Sequence, residues 1–360
     1  MSRQHRGQVI EEPNPLDLTG LCLLSLDGGG IRGLSTLYII RRIMARLNGR
    51  RRRFGQPPVK PCDVFDVIGG TSTGGLIAIM LGRLEMDIDE CMRAYVNFAG
   101  MSFRDAVDTS ALEGDVRPRF HSTHLHNAAV ALVKHNGISE QTLLNDGSER
   151  KCKTFVCAVD SSTKHLVRLR DYSLEDEISI AVTVQDAICA TFAATTFFEP
   201  VKIGNRTFCS GILGANNPAQ EIEEEASNIW CPSKSGVIDI VKCFLSVGTG
   251  NPGSQPFSNI MSEYLNKDLF DLVAETERTE KSCAARWAEL LDDKRYFRFN
   301  VEQGLQDVGL YEYNAEKRGL IEGATESYLL HQAQKFNTRD CVLNLHQKLK
   351  IIHCQIFGTC

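Results

Sequence analysis

Leu21-Cys22-Leu23-Leu24-Ser25-Leu26 is an almost unbroken apolar run, and it predicts a strand buried on both faces of a parallel sheet. The run passes straight into Asp27-Gly28-Gly29-Gly30-Ile31-Arg32-Gly33, after which Leu34, Leu37, Ile40, Ile43, Met44 and Leu47 recur at helical spacing toward an end near Asn48-Gly49. A second corner of the same kind follows. Phe65, Val67 and Ile68 lead into Gly69-Gly70-Thr71-Ser72-Thr73-Gly74-Gly75, and Leu76, Ile77, Ala78, Ile79 and Met80 resume as a buried helix. Further on, Asp89 to Phe98, Ser139 to Leu144 and Ile178 to Thr191 read as helices, and Lys153 to Asp160 and Leu166 to Arg170 as strands. This alternation predicts an α/β fold with a central, largely parallel sheet between helix layers and a helical C-terminal part. The charged amphipathic pattern from Asp268 to Leu291 predicts a helical cover, and Tyr296 to Asn300 a short strand. Gly323 to Lys335 predicts a helix with Tyr328, Leu329 and Ala333 facing the core. Residues 1–20, with Pro13 and Pro15, read as a flexible arm, residues 21–330 as one large domain and residues 331–360 as a C-terminal extension.

Composition narrows the function classes. With 360 residues the chain can bury an extensive core, and a formal net charge of -5 argues against a dedicated nucleic-acid binder, which needs a clustered basic excess. The start, MSRQHRGQVIEEPNP, has no apolar h-region, and no apolar run reaches the roughly 18 residues of a membrane span. The expectation is a cytoplasmic protein whose membrane contact, where it has any, is peripheral. The 13 cysteines are scattered without a C-x-x-C pair, which fits reduced thiols better than a disulfide framework. His121, His124 and His126 cluster without the cysteine pair or H-E-x-x-H that a metal site calls for, so no metal and no cofactor are expected. The run Arg50 to Arg53 reads as a solvated loop, with an anionic-membrane contact as the alternative.

The two glycine-rich corners carry the candidate chemistry. Gly70, Ser72 and Gly74 form G-x-S-x-G between strand and helix, the arrangement that exposes a serine hydroxyl on a strained turn at a helix N-terminus. Gly28, Gly30 and Gly33 satisfy G-x-G-x-x-G, but no G-K-[ST] follows and no acidic residue closes a second strand about 20 residues on, so a nucleotide loop is disfavoured. The other reading is an oxyanion site, where consecutive backbone N–H groups meet a reacting carbonyl. Together, a corner with a serine and a corner with amides form an acyl-transfer pair.

DGGGIRG followed by GTSTGG resembles the patatin-like phospholipases, including the calcium-independent phospholipase A2 branch and fungal single-domain members. The resemblance extends through Gln185 to Thr191, Phe197-Phe198-Glu199-Pro200, Gly211 to Pro218 and Cys243 to Gly250, spanning roughly residues 20 to 330. It implies a lipid acyl hydrolase with a serine–aspartate dyad and no calcium requirement. Carried onto this chain it makes Ser72 the nucleophile and Gly28, Gly29 and Gly30 the oxyanion amides. Arg32 and Thr73 become orienting or substrate-binding residues, and Gly70, Gly74 and Gly211 motif glycines.

The aspartate falls on position 210, which is Ser210. A hydroxyl cannot take the proton that a carboxylate takes near neutral pH. Another acid could serve, with Asp27, Asp186, Glu199 and Glu221 nearest by motif. The site could be repurposed for acyl transfer or carbonyl rearrangement, the protein could be a non-hydrolytic lipid or partner binder, or Ser210 could itself be an introduced replacement. Phe192 and Thr196 also depart from the family's small-residue stretch and are candidates for a reshaped acyl pocket, or ordinary core and loop substitutions.

Overall fold

In the computed structural model, which describes residues 19–105, 118–195, 197–231, 236–251, 253 and 276–357, the first apolar run is strand β1, Leu21–Leu26, with all six residues buried. Helix α1, Gly33–Arg53, buries Leu34, Leu37, Ile40, Ile43, Met44 and Leu47 as their spacing predicts. It continues past Asn48-Gly49 through all four arginines, so the predicted solvated loop is instead the last helical turn. Cations suit that position because the helix carbonyls carry partial negative charge there, and Arg51 turns inward to donate to the Pro57 carbonyl at 2.7 Å.

Strand β2, Val67–Thr71, and helix α2, Thr73–Ala78, flank the serine corner. Helix α3, Ile88–Ser102, starts on a reciprocal Asp87–Glu90 cap. Helix α4, Ser122–His135, was not among the predicted elements, and it buries Leu125, Ala128, Ala129, Leu132 and Val133. Ser139 to Leu144 is not helical: Leu143 forms a bridge with Thr183, which holds both segments extended. For the same reason the helix predicted from Ile178 begins only at Val184, as α5, Val184–Phe192, where the Thr183 hydroxyl accepts from the Asp186 N–H at 3.1 Å.

Strands β3, Lys153–Asp160, and β4, Leu166–Arg170, follow the predicted bounds. Next come β5, Val201–Ile203, β6, Arg206–Ser210, α6, Ile212–Ala215, α7, Ala219–Trp230, and β7, Val241–Val247. The predicted cover after Asp268 lies outside the described residues as far as residue 275, and its remainder forms α8, Glu277–Arg286, and α9, Ala288–Asp292. The arm over residues 1–18 and Thr196 also lie outside them. After β8, Tyr296–Phe299, the chain ends in α10, Ala315–Leu330, and α11, Gln332–Phe357. The single helix predicted across Gly323 to Lys335 is broken at His331, whose ψ of 143 is extended. That break leaves Ala333 exposed, while Tyr328 and Leu329 are buried as predicted.

Among the described residues eight strands form one sheet in the order β5-β6-β3-β2-β1-β7-β8, with β4 also paired to β3. Strands β3, β2, β1, β7 and β8 are mutually parallel, and β4, β5 and β6 add antiparallel pairings at one side. Side chains alternate across the sheet: Cys22, Leu24 and Leu26 enter one core with α1, α2 and α11, while Leu21 and Leu23 enter another with α7, α8 and α9. The result is a three-layer α/β fold. Both glycine-rich corners follow the C-terminal ends of neighbouring parallel strands β1 and β2, where a crevice forms in such sheets.

Candidate active site

Ser72 stands alone between β2 and α2 with φ 53 and ψ -120, a conformation that L-residues rarely adopt. The neighbouring glycines make the turn sterically feasible. A Cβ on Gly70 would lie 2.2 Å from the Gly74 carbonyl oxygen, and one on Gly74 2.2 Å from the Leu26 carbonyl oxygen, so the corner closes against itself and against β1. The strained turn is also tied from outside. The Ser72 N–H donates to the Thr191 hydroxyl at 2.8 Å, and that hydroxyl donates to the Cys157 carbonyl at 2.8 Å.

The first glycine loop lies beside it: a Cβ on Gly28 would come within 3.3 Å of the Ser72 Cβ. Of the three amides assigned to an oxyanion, two already donate within the fold. The Gly28 N–H donates to the Asn216 carbonyl at 3.0 Å, and the Gly29 N–H to the Thr73 hydroxyl at 3.2 Å. Gly30, with φ 59, faces the cleft, and its carbonyl accepts from the Tyr95 hydroxyl at 2.5 Å. Ile31 N–H anchors the loop to the Leu310 carbonyl at 2.7 Å, and Arg32 is buried in the turn Gly30–Arg32. Beneath the loop, Asp27 is fully buried and accepts from both terminal nitrogens of Arg298, at 3.0 and 2.6 Å. Burial pushes the Asp27 carboxyl up to about 6, and the Arg298 guanidinium opposes that rise. The carboxylate is therefore ionised and paired at neutral pH.

Ser72, Thr73 and Gly30 form the polar side of a narrow cleft with a cavity volume of about 30 Å³. The rest of its wall is apolar, with Phe103, Phe192, Phe197, Phe198 and Tyr311 as its aromatic part. Phe192 thus lines the cleft, fixed by a ring contact to Phe98 at 5.3 Å.

Strand register brings position 210 to the serine corner. Thr71 pairs with Cys157, and Ser210 pairs with the next residue of β3, Ala158, on the edge opposite β4. The Ser210 side chain, however, turns elsewhere. Its hydroxyl donates to the Thr191 carbonyl at 2.6 Å and accepts from the Ile212 N–H at 3.3 Å. The alternative acids do not take over. Asp27 is held by Arg298, Asp186 accepts from the Thr183 hydroxyl, Glu221 pairs with Arg168 at 2.8 Å, and Glu199 is exposed. Among the described residues no carboxylate or imidazole hydrogen-bonds Ser72.

The family model of the patatin-like phospholipases matches residues 24–222, the stretch that contains both glycine loops, Ser72 and Ser210. The chain belongs to the patatin-like phospholipase family. Human calcium-independent phospholipase A2-gamma is 26% identical over 341 residues, covering 91% of this chain and 40% of that protein. Phospholipase A I of Arabidopsis thaliana is 24% identical, covering 88% of this chain and 27% of its own length, and patatin-like protein 1 of the same plant is 29% identical over 219 residues, covering 54% and 49%. The chain therefore spans less than half the length of these relatives. VipD from Legionella pneumophila overlays with a TM-score of 0.40 at 10% identity, covering 86% of this chain and 67% of that one.

Within this patatin-like site, three supporting residues had no role in the sequence reading. Thr191 links the serine corner to β3, Asn216 caps the Gly28 amide through its carbonyl, and Arg298 holds Asp27. Arg298 had a legible signal, a lone charge inside the otherwise apolar strand β8; Thr191 and the Asn216 carbonyl had none.

Proposed function

We propose that this patatin-like chain is a lipid acyl hydrolase in architecture, binding an acyl ester with its hydrocarbon chain in the aromatic cleft and its carbonyl against Ser72. The observation that carries this reading is the strained Ser72 corner opening onto an apolar cleft beside Gly30 and Thr73. In this reading the Ser72 Oγ bonds to the acyl carbon, and the carbonyl oxygen takes up charge facing the Gly30 and Thr73 N–H groups. The ester C–O bond breaks as the alcohol leaves with a proton, and water then releases the fatty acid. Arg32 would keep the loop's turn in place from its buried position.

The proton on Ser72 is the weak point. With Ser210 donating to Thr191, the serine loses its proton to solvent rather than to a positioned base. Only the share of catalysis that comes from the oxyanion site and binding remains, about 10³-fold over water by analogy with triad enzymes stripped of one member. The same hydrogen bond favours a second reading, a lipid-ester binder or acyl carrier whose turnover is vestigial. Among the described residues no helix is long and apolar enough to cross a membrane, so a lipid substrate would be met at a surface or as a monomer.

Fluorophosphonate labelling and fatty-acid release from mixed phospholipid vesicles, with wild type against Ser72→Ala, test the reading. Slow labelling and slow release that both vanish in Ser72→Ala support it. Release that survives Ser72→Ala refutes Ser72 as nucleophile, and binding of the ester without any labelling of wild type leaves the carrier reading.

A further inference from the structure

The hydroxyl of Tyr95 stands where the two glycine corners meet. Tyr95 lies on α3, is buried, and is not among the residues that line the Ser72 cleft. Its one hydroxyl proton is spent on the Gly30 carbonyl at 2.5 Å, so the Thr73 hydroxyl, which hydrogen-bonds the same phenol oxygen, is the donor of that second pair. Thr73 in turn accepts from the Gly29 N–H at 3.2 Å. A chain of hydrogen bonds therefore leaves the loop at Gly29, passes through Thr73 and Tyr95, and returns to the loop at Gly30. The last glycine of the loop makes room for it. Gly33 has an ordinary helical φ of -56, so its backbone does not call for glycine, but a Cβ there would lie 2.4 Å from the phenol oxygen.

Gly30 needs such a hold. Of the three loop amides its N–H is the one that keeps no acceptor among the described residues, and at φ 59 a glycine can swing through conformations that a side chain would forbid. That N–H belongs to the Gly29–Gly30 peptide, whose own carbonyl accepts a long bond from the Arg32 N–H, 3.3 Å. The peptides on either side are tied more closely. Thr73 holds the N–H of the preceding one, while the following one is held by Tyr95 at its carbonyl and by the Leu310 carbonyl at its Ile31 N–H, 2.7 Å. Donors stabilise a developing charge because they are aimed before it appears, and a donor on a loose peptide forfeits that advantage. We propose that Tyr95 is a positioning residue for acyl transfer at Ser72, fixing the Gly30 peptide so that its N–H meets the oxygen that becomes negative. This role rests on the acyl-ester reading of the cleft.

Saturation kinetics of Ser72 labelling by a fluorophosphonate separate affinity for the probe from the maximal rate of bond formation. Wild type is compared with Tyr95→Phe, Gly33→Ala, the double variant, and Tyr172→Phe, which removes another buried phenol, one that donates to Glu225 of α7. Tyr95→Phe keeps the ring and the cleft wall, so probe affinity should hold while the maximal rate falls about 10-fold, short of the ~10²–10³ that losing an oxyanion donor itself costs. Gly33→Ala pushes the phenol aside and should slow the same step. The double variant should be no slower than the slower single variant, since both act through one hydroxyl. Tyr172→Phe should lower the melting temperature without slowing the labelling. A folded Tyr95→Phe with the wild-type maximal rate overturns the positioning role and leaves the acyl-ester reading standing. So does a loss of rate that Tyr172→Phe reproduces at an equal loss of melting temperature, which marks an effect of stability alone. Wild type whose Ser72 is not labelled overturns the hydrolase reading and the role of Tyr95 together.

Discussion

Replacing Ser210 by aspartate should turn a slow site into a working one, and the gain can be estimated from the geometry. Position 210 is one register step beyond Thr71 on β3, directly beside the serine corner, and its side chain is fully buried. A carboxylate there cannot repeat the present hydrogen bond, because an ionised oxygen facing the Thr191 carbonyl has no proton to donate. It should turn from Thr191 toward the Ile212 N–H and, on the proposed acyl-ester reading, the Ser72 hydroxyl. A positioned general base is worth ~10²–10⁴ in rate, or ~3–5 kcal/mol of barrier. Against that, a buried polar exchange with an imperfect partner set costs ~1–3 kcal/mol of stability, a loss of several degrees in melting temperature. Second-order rates of fluorophosphonate labelling and fatty-acid release per active site, measured for wild type, Ser210→Asp and Ser210→Ala, separate the terms. Ser210→Asp should gain at least about 100-fold on both rates. Ser210→Ala should gain nothing, since it frees the Thr191 carbonyl without supplying a base. A folded Ser210→Asp that is no faster than wild type refutes the claim that a missing base limits this site.

Thr191 at the serine corner and the buried carboxyl of Asp171 carry two further predictions. Thr191→Val keeps the volume but leaves the Ser72 N–H and the Cys157 carbonyl without their shared hydroxyl, which should cost ~1–3 kcal/mol in thermal unfolding and slow Ser72 labelling. Thr191→Ser should restore both, and a Val variant as stable and reactive as wild type would show that the hydroxyl does not hold the corner. Asp171, which follows β4, is buried and accepts from the Thr154 N–H of β3 at 2.7 Å; burial pushes its carboxyl and that of Asp27 each up to about 6 from an unfolded value of 3.8, so the folded state holds these protons more tightly than the unfolded chain. Their contribution to stability is complete below the unfolded value and is lost as pH rises through about 6. Melting temperatures measured from pH 4 to 7 should fall less steeply in Asp171→Asn than in wild type, and an unchanged slope would place that carboxyl at its ordinary value.

What could be read from the sequence was what is written locally. The apolar runs of β1 and β3 could be read because a strand buried on both faces has few alternatives, and the serine corner because Gly70, Ser72 and Gly74 meet within one turn. Helix α4 is as regular, with Leu125, Ala128, Ala129, Leu132 and Val133 buried, but its apolar positions are interrupted at the start by polar His124, His126 and Asn127, which blur the helical period. The helix expected from Ile178 failed because a bridge to Leu143 overrode local propensity, which tertiary pairing can do for a short segment. The supports of the site were not legible, because each joins residues far apart in the chain. Thr191 reaches Ser72 across 119 residues, and Arg298 reaches Asp27 across 271. Ser210 lies between these cases. Its identity raises the expectation of a missing base, but where its hydroxyl points depends on the fold, which has it donating to the Thr191 carbonyl. Thr191 thus engages both positions, accepting from the Ser72 N–H through its hydroxyl and from the Ser210 hydroxyl through its carbonyl. The Ser72 corner is strained with no carboxylate bonded to it among the described residues, so on the proposed acyl-ester reading Ser210→Asp varies turnover while Thr191→Val varies the shape of the corner.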